Sequence, residues 1–162
     1  MRRFHEEGAS RFITFSCQKR LSLLSEPSMR DMAADILLET AEQCHVEFLS
    51  WVIMPNHFHL IVRGADTGPE IKSFLISYKT RSAKAILPLI AVERPELYAR
   101  AEDSSGKPRL WLRGGGYDRL IFSARELEEK IAYIEANPVR RGLCLRPEDY
   151  KWSSAFQYKS PQ

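Results

Sequence analysis

The chain has 162 residues, 44% of them hydrophobic and 28% charged, with a formal net charge of +3. The length suits one domain over residues 1–162, large enough to bury a core. No apolar run approaches the ~20 residues that cross a bilayer. The N-terminal stretch Met1–Glu7 turns polar at once and carries no signal-peptide core, so a cytoplasmic protein without membrane contact is expected. Cys17, Cys44 and Cys144 are scattered and form no CxxC pair, which suits a reducing compartment. Charge is uneven: residues 21–70 hold two basic side chains against eight acidic ones, and the rest of the chain is basic. Such asymmetry is compatible with a polyanionic partner, and equally with ordinary solvated faces.

Arg11 to Cys17 alternates like a strand. Ser25-Glu26-Pro27 marks a helix start, and Met29, Ala33, Ile36, Leu37, Thr40 and Cys44 follow at helical spacing. Val46 to Met54 reads as a strand, Pro55-Asn56 as a turn and His57 to Arg63 as the returning strand of a hairpin. Residues 64–69 form a loop, and a second helix carries Ile71, Phe74, Tyr78, Ser82 and Ile86 on one face. Pro88 to Pro108 is expected to be a long irregular loop. Arg109 to Leu112 reads as a short strand, and Gly114 to Gly116 as a flexible break. Ser123-Ala124-Arg125-Glu126 matches a capping box, and the helix behind it is expected to end before Asn137-Pro138.

Strand, helix, strand, strand, helix, strand is a ferredoxin-like split β-α-β order. It predicts an α+β fold: an antiparallel sheet with helices on one face and the other face open for a site.

The sharpest local feature is Met54-Pro55-Asn56-His57-Phe58-His59-Leu60-Ile61-Val62. On a strand, residues two apart share a face, so His57 and His59 stand side by side. Phe58, Leu60 and Val62 form the opposite, core-facing row. Paired imidazoles on a rigid strand suit a divalent metal, although HxH also arises without one.

MPNHFHLIV resembles the signature of the single-tyrosine HUH transposases, in which U is a bulky hydrophobic residue, here Phe58. Downstream, Trp111-Leu112-Arg113, Tyr117-Asp118-Arg119, the segment from Tyr133 through Asn137-Pro138 to Leu143, and Tyr150-Lys151-Trp152-Ser153-Ser154 are similar to later family motifs, in order. They look closest to the REP-associated tyrosine transposase branch. The resemblance implies a metal-dependent single-strand DNA endonuclease and strand transferase. A tyrosine hydroxyl would attack the phosphodiester, a 5′-phosphotyrosine would form and a 3′-hydroxyl would be released. It also implies Mg²⁺ or Mn²⁺ at His57 and His59, single-stranded or hairpin DNA as partner, and action as a monomer or homodimer. A catalytically silent DNA-binding relative of the same fold is the alternative; a zinc hydrolase is weaker, because no third ligand stands at familiar zinc spacing.

Among the tyrosines, Tyr117 follows the glycine run at the family's Y-D position and is the expected nucleophile. Tyr78 sits mid-stripe on a helix and Tyr133 beside Ile134, so both are expected in the core. Lys79, Arg81, Arg113 and Arg119 are the expected DNA-binding residues, with Arg2, Arg3, Arg140 and Arg141 as further phosphate contacts. Trp111 and Trp152 are expected to pack rather than stack on bases. Relatives often supply a third metal ligand from the tyrosine's helix, one turn on. Four residues after Tyr117 stands Ile121, which cannot ligate, so the choice between Asp118 and Glu47 stays open.

Overall fold

The computed structural model describes residues 10–63, 69–114 and 116–157. Arg2, Arg3, the 64–68 part of the expected loop and Gly115 lie outside them. Four strands, β1 (Ser10–Ser16), β2 (Glu47–Ile53), β3 (His57–Arg63) and β4 (Tyr117–Ile121), form one antiparallel sheet in the order β2-β3-β1-β4. Helix α1 (Pro27–Gln43) joins β1 to β2, and α2 (Pro69–Glu93) follows β3. The fold class is therefore the α+β split arrangement that the element order predicts.

Alternation along the strands builds two cores, one on each face of the sheet. Ile13, Phe15, Phe58, Leu60 and Val62 point to one face, where they pack with Met29, Leu37, Phe74 and Tyr78 from α1 and α2. Tyr78 is fully buried and its hydroxyl donates to the Ala33 carbonyl at 3.1 Å, as a core tyrosine should. Trp111 is also core, its indole N–H donating to Ser82 Oγ at 2.9 Å. Trp152 packs beneath the Arg30 guanidinium, 4.1 Å from its ring centre.

The opposite face is not bare, contrary to the expectation of an open surface. Helix α4 (Ala124–Arg140) crosses it after the short α3 (Pro95–Arg100) and β4. Phe12, Ile61 and Ile121 from the sheet bury against Ile134 of α4, with Tyr150, Val52 and Met54. The C-terminal segment closes the free side of β2: Ile53 N–H donates to the Trp152 carbonyl at 2.9 Å, and Tyr150 Oη to the Ile53 carbonyl at 2.7 Å.

Three boundaries differ from the sequence expectation. Helix α2 runs through Pro88 to Glu93, and α3 follows at Pro95, so most of the expected loop is helical. Pro88 is exposed, where its ring and missing N–H disturb no buried packing. Helix α4 runs through Asn137-Pro138 to Arg140, with Ile134, Asn137 and Pro138 buried, so packing outweighs the local cost of the proline. Its start is as expected: Ser123 Oγ accepts from Glu126 N–H at 3.1 Å, and Glu126 Oε2 accepts from Phe122 N–H at 3.0 Å. Finally, the Arg109–Leu112 segment is reduced to a bridge, with Trp111 opposite Cys17 and Leu112 N–H donating to Ser16 O. Pairing with β1 breaks off after Leu112 and resumes with Tyr117 opposite Thr14. Gly114 takes φ +66° there, which glycine tolerates without strain.

Candidate active site

The register places a row of side chains across three strands on the α4 face. Thr14 on β1 stands opposite His59 on β3 and opposite Tyr117 on β4. Directly opposite residues of an antiparallel pair share a face. His59, Thr14 and Tyr117 are therefore co-facial, with His57 opposite Ser16 one step along.

The two imidazoles lie 4.8 Å apart, centre to centre, at 79°. Each is held through Nδ1. His57 Nδ1 meets Asn56 Oδ1 at 2.7 Å, and His59 Nδ1 meets Thr14 Oγ1 at 2.7 Å. An amide oxygen only accepts, so His57 Nδ1 carries the proton and Nε2 the lone pair. A hydroxyl both donates and accepts; with Thr14 Oγ1 accepting from Nδ1, His59 would present Nε2 as its ligating nitrogen. His59 is only 7% exposed and its ring stacks on Phe12 at 5.6 Å.

Burial is the main force on their protonation. With help from the Arg141 and Arg20 cations it pushes His57 down to about 4. Burial, then His57 and the cations Arg140 and Arg141, pushes His59 to about 3. Both rings are neutral at pH 7, the form that binds metal.

Helix α4 brings two side chains to this pair that the sequence reading missed. The Tyr133 ring stands edge-on to His59 at 5.7 Å and is 46% exposed, so it is not the core residue expected beside Ile134. One turn on, Asn137 is buried and its Nδ2 lies 3.3 Å from His57 Nε2. The Arg140 guanidinium sits 4.3 Å from the Tyr133 ring centre, and Lys130 Nζ lies 6.0 Å from it. The signal was present as a helical stripe: Lys130, Tyr133, Asn137 and Arg140 recur at three- and four-residue spacing. Ending the helix at Asn137-Pro138 hid it.

The donor set fits a divalent cation. The Asn137 amide lies 3.3 Å from His57 Nε2, with the His59 ring 4.8 Å from that of His57, and with the amide turned over its carbonyl oxygen would join the two imidazoles as a third donor. Neither third ligand left open is available. Glu47 pairs with Arg63 at 3.2 Å, at the far end of β3 from His57. Asp118 alternates to the other face, opposite Ile13, and pairs with Arg11 at 3.0 Å. Among the described residues no cluster of three or more His, Cys, Asp or Glu side chains is suited to a metal.

The structure separates the other expected site residues. Tyr117 is 48% exposed on the site face, and its ring meets Phe12, at 5.9 Å, rather than either imidazole. Arg119 is beside it and bonded to Tyr117, and also pairs with Glu126 at 2.7 Å. Arg81 lies on the opposite side of the sheet, where it ties α2 to α1 through Glu39 at 2.9 Å, Thr40 and Gln43. Lys79 is half-buried over Phe15, 4.7 Å from its ring centre. With Thr80 and the exposed Arg113 it lines a groove of about 320 Å³ beside Leu112 and Gly114.

A ferredoxin-like sheet with a histidine pair on one strand and a tyrosine-bearing helix laid over it has the architecture of a tyrosine transposase. The family model for IS200-like transposases matches residues 9–137, and the chain belongs to that family. Comparison with curated proteins finds no match. Among solved structures, a REP-associated tyrosine transposase bound to a REP hairpin superposes with a TM-score of 0.63 at 17% identity, over 93% of this chain and 79% of that one. A Deinococcus radiodurans R1 protein described as a transposase gives a TM-score of 0.50 at 20% identity, over 78% of this chain and 88% of that one. At these identities the structural likeness is one of fold.

Proposed function

We propose that the chain is a metal-dependent single-strand DNA endonuclease and strand transferase that acts through a 5′-phosphotyrosine intermediate. The observation that carries this reading is the convergence of Tyr133 and Asn137 from one helix on His57 and His59. His57, His59 and Asn137 would hold the ion, Mn²⁺ or Mg²⁺, which would polarise a non-bridging phosphate oxygen. Two nitrogen donors favour Mn²⁺ over the harder, oxygen-seeking Mg²⁺.

Tyr133 is the nucleophile that the geometry favours. Its hydroxyl oxygen attacks phosphorus, a Tyr–O–P bond forms and the P–O3′ bond breaks. The phenolic proton is lost to solvent, and the departing 3′ oxygen takes one up. Arg140 beside the ring holds the phosphate as its charge is redistributed. Because tyrosine and histidines belong to one chain, a monomer suffices. Tyr117 is the second reading: it is exposed, shares the face and is bonded to Arg119. In the main reading it lines the path of the strand instead, with Arg113 and Arg119 as backbone contacts; Lys79, over Phe15 on the other face, would be reached only by a strand that wraps around the β4 edge.

The REP-hairpin complex of the structural neighbour supports a hairpin-flanked single strand as substrate. Three free cysteines among the described residues support a reducing, cytoplasmic setting. No helix of the described residues is long and apolar enough to cross a membrane. The test is incubation of the protein with hairpin DNA bearing a single-stranded flank, with Mn²⁺ or with chelator. The reading requires a covalent protein–DNA adduct in Mn²⁺ and none in chelator. DNA bound in Mn²⁺ without any adduct would favour the silent DNA-binding alternative.

A further inference from the structure

Helix α4 carries a cation that its own carboxylates leave free. Glu126 and Lys130 stand four residues apart on it, the spacing at which a carboxylate and an ammonium normally pair. Both Glu126 oxygens are engaged elsewhere. Oε1 pairs with Arg119 at 2.7 Å, and Oε2 accepts from Phe122 N–H at 3.0 Å. Among the described residues Lys130 makes no ion pair or hydrogen bond.

Lys130 turns onto the site instead. Its Nζ lies 5.2 Å from the centre of the Phe12 ring and 6.0 Å from that of Tyr133. Phe12 is the ring on which the aromatics of the site meet. It stacks on His59 at 5.6 Å and stands edge-on to Tyr117 at 5.9 Å and to Tyr133 at 6.4 Å. The ammonium is thus placed by measured contacts among the imidazole and both tyrosines. Arg140, the other cation beside Tyr133, is tethered by its donation to the Tyr133 carbonyl at 2.9 Å. Lys130 has no such tether and is half-buried.

We propose that Lys130 is a catalytic residue of the strand transfer: its ammonium leaves the Phe12 face and donates to a non-bridging oxygen of the phosphodiester as Tyr133 attacks. The assignment rests on the strand-transfer reading above. A charge-assisted hydrogen bond to a phosphate oxygen is stronger than the attraction of an ammonium for a ring face, so a bound phosphate draws the group off Phe12. No ion pair has to be broken first. The flexible four-carbon stem lets the ammonium follow the oxygen as charge builds on it. Lys130 transfers no proton; the bonds made and broken remain Tyr–O–P and P–O3′.

Lys130→Met keeps an unbranched stem over Phe12 and removes the charge. Lys130→Arg keeps the charge. Single-turnover cleavage of a hairpin DNA with a single-stranded flank is followed in Mn²⁺ at saturating DNA. Lys130→Met is expected to cleave at least fivefold slower than wild type with an unchanged melting temperature, and Lys130→Arg to recover most of the rate. A smaller loss in Lys130→Met would overturn the proposal. So would a Lys130→Arg protein as slow as Lys130→Met, since that pattern marks packing rather than charge. Lys130→Gln, run in parallel, gives the same readout should Lys130→Met not fold. If wild type cleaves nothing, the strand-transfer reading fails, and Lys130 is decided by binding in chelator. The slope of log affinity against log salt should then fall by about one contact in Lys130→Met, and an unchanged slope would remove Lys130 from the phosphate.

Discussion

Thr14 Oγ1 and His59 Nδ1 stand 2.7 Å apart, directly opposite one another on neighbouring strands. The contact holds Nδ1 of a nearly buried imidazole whose ring stands edge-on to Tyr133. Partners of this kind typically account for 10–100-fold in metal affinity. Thr14→Val keeps the shape and removes the hydroxyl. It is expected to weaken Mn²⁺ binding within that range, measured by titration calorimetry, while the thermal melt stays near wild type. Unchanged affinity would show that the imidazole is oriented by Phe12 stacking alone.

The neutral histidines make stability pH-dependent with a definite sign. Their folded pKa values lie at about 4 and about 3, below the ordinary 6.5. As pH falls below 6.5 the unfolded chain binds protons that the folded chain refuses, so stability present above 6.5 is lost toward pH 4. For His59 the loss at pH 5 is on the order of 2 kcal/mol. Urea denaturation at pH 7.5 and pH 5 should show it, and His59→Gln should remove about half of the total difference, leaving the share of His57. An equal drop in that variant would place the acid sensitivity elsewhere.

The sequence made the sheet and the histidine pair legible because both depend on period-two alternation. Phe58, Leu60 and Val62 had to face the core, and so His57 and His59 could not. Helix α4 was harder. Its capping box at Ser123 was readable, but its end was not, because Pro138 is a helix breaker that burial overrides. With the helix cut at Asn137, the i to i+4 relation between Tyr133 and Asn137 disappeared, and Tyr133 was assigned to the core by its neighbour Ile134. Side of the sheet was the other lost quantity. Local charge does not tell that Arg81 faces α1 whereas Arg140 and Arg141 sit by the site.

Those arginines separate by what they bind. Arg81→Ala should leave DNA affinity and its salt dependence unchanged, and lower stability modestly by releasing α1 from α2. Arg140→Ala and Arg141→Ala should each reduce the salt slope of hairpin DNA binding by about one phosphate contact. Filter-binding series between low and moderate salt measure both. A reduced slope in Arg81→Ala would move the DNA to the opposite side of the sheet.

Tyr78 offers an internal control, since it is a tyrosine with no role in the chemistry. Its buried hydroxyl donates to the Ala33 carbonyl, and burial pushes its pKa far upward, so it cannot ionise in the folded protein. Tyr78→Phe is expected to cost about 1 kcal/mol of stability and leave adduct formation intact. Loss of the adduct in a well-folded Tyr78→Phe protein would contradict that assignment.

The most direct test of the whole account is to find which tyrosine carries the DNA. After reaction in Mn²⁺ and nuclease trimming, trypsin separates the candidates: Tyr133 falls in the peptide Ile131–Arg140 and Tyr117 in Gly114–Arg119. Mass spectrometry should find the nucleotide on Ile131–Arg140, with Gly114–Arg119 unmodified. A nucleotide on Gly114–Arg119 would contradict the account and make Tyr117 the nucleophile.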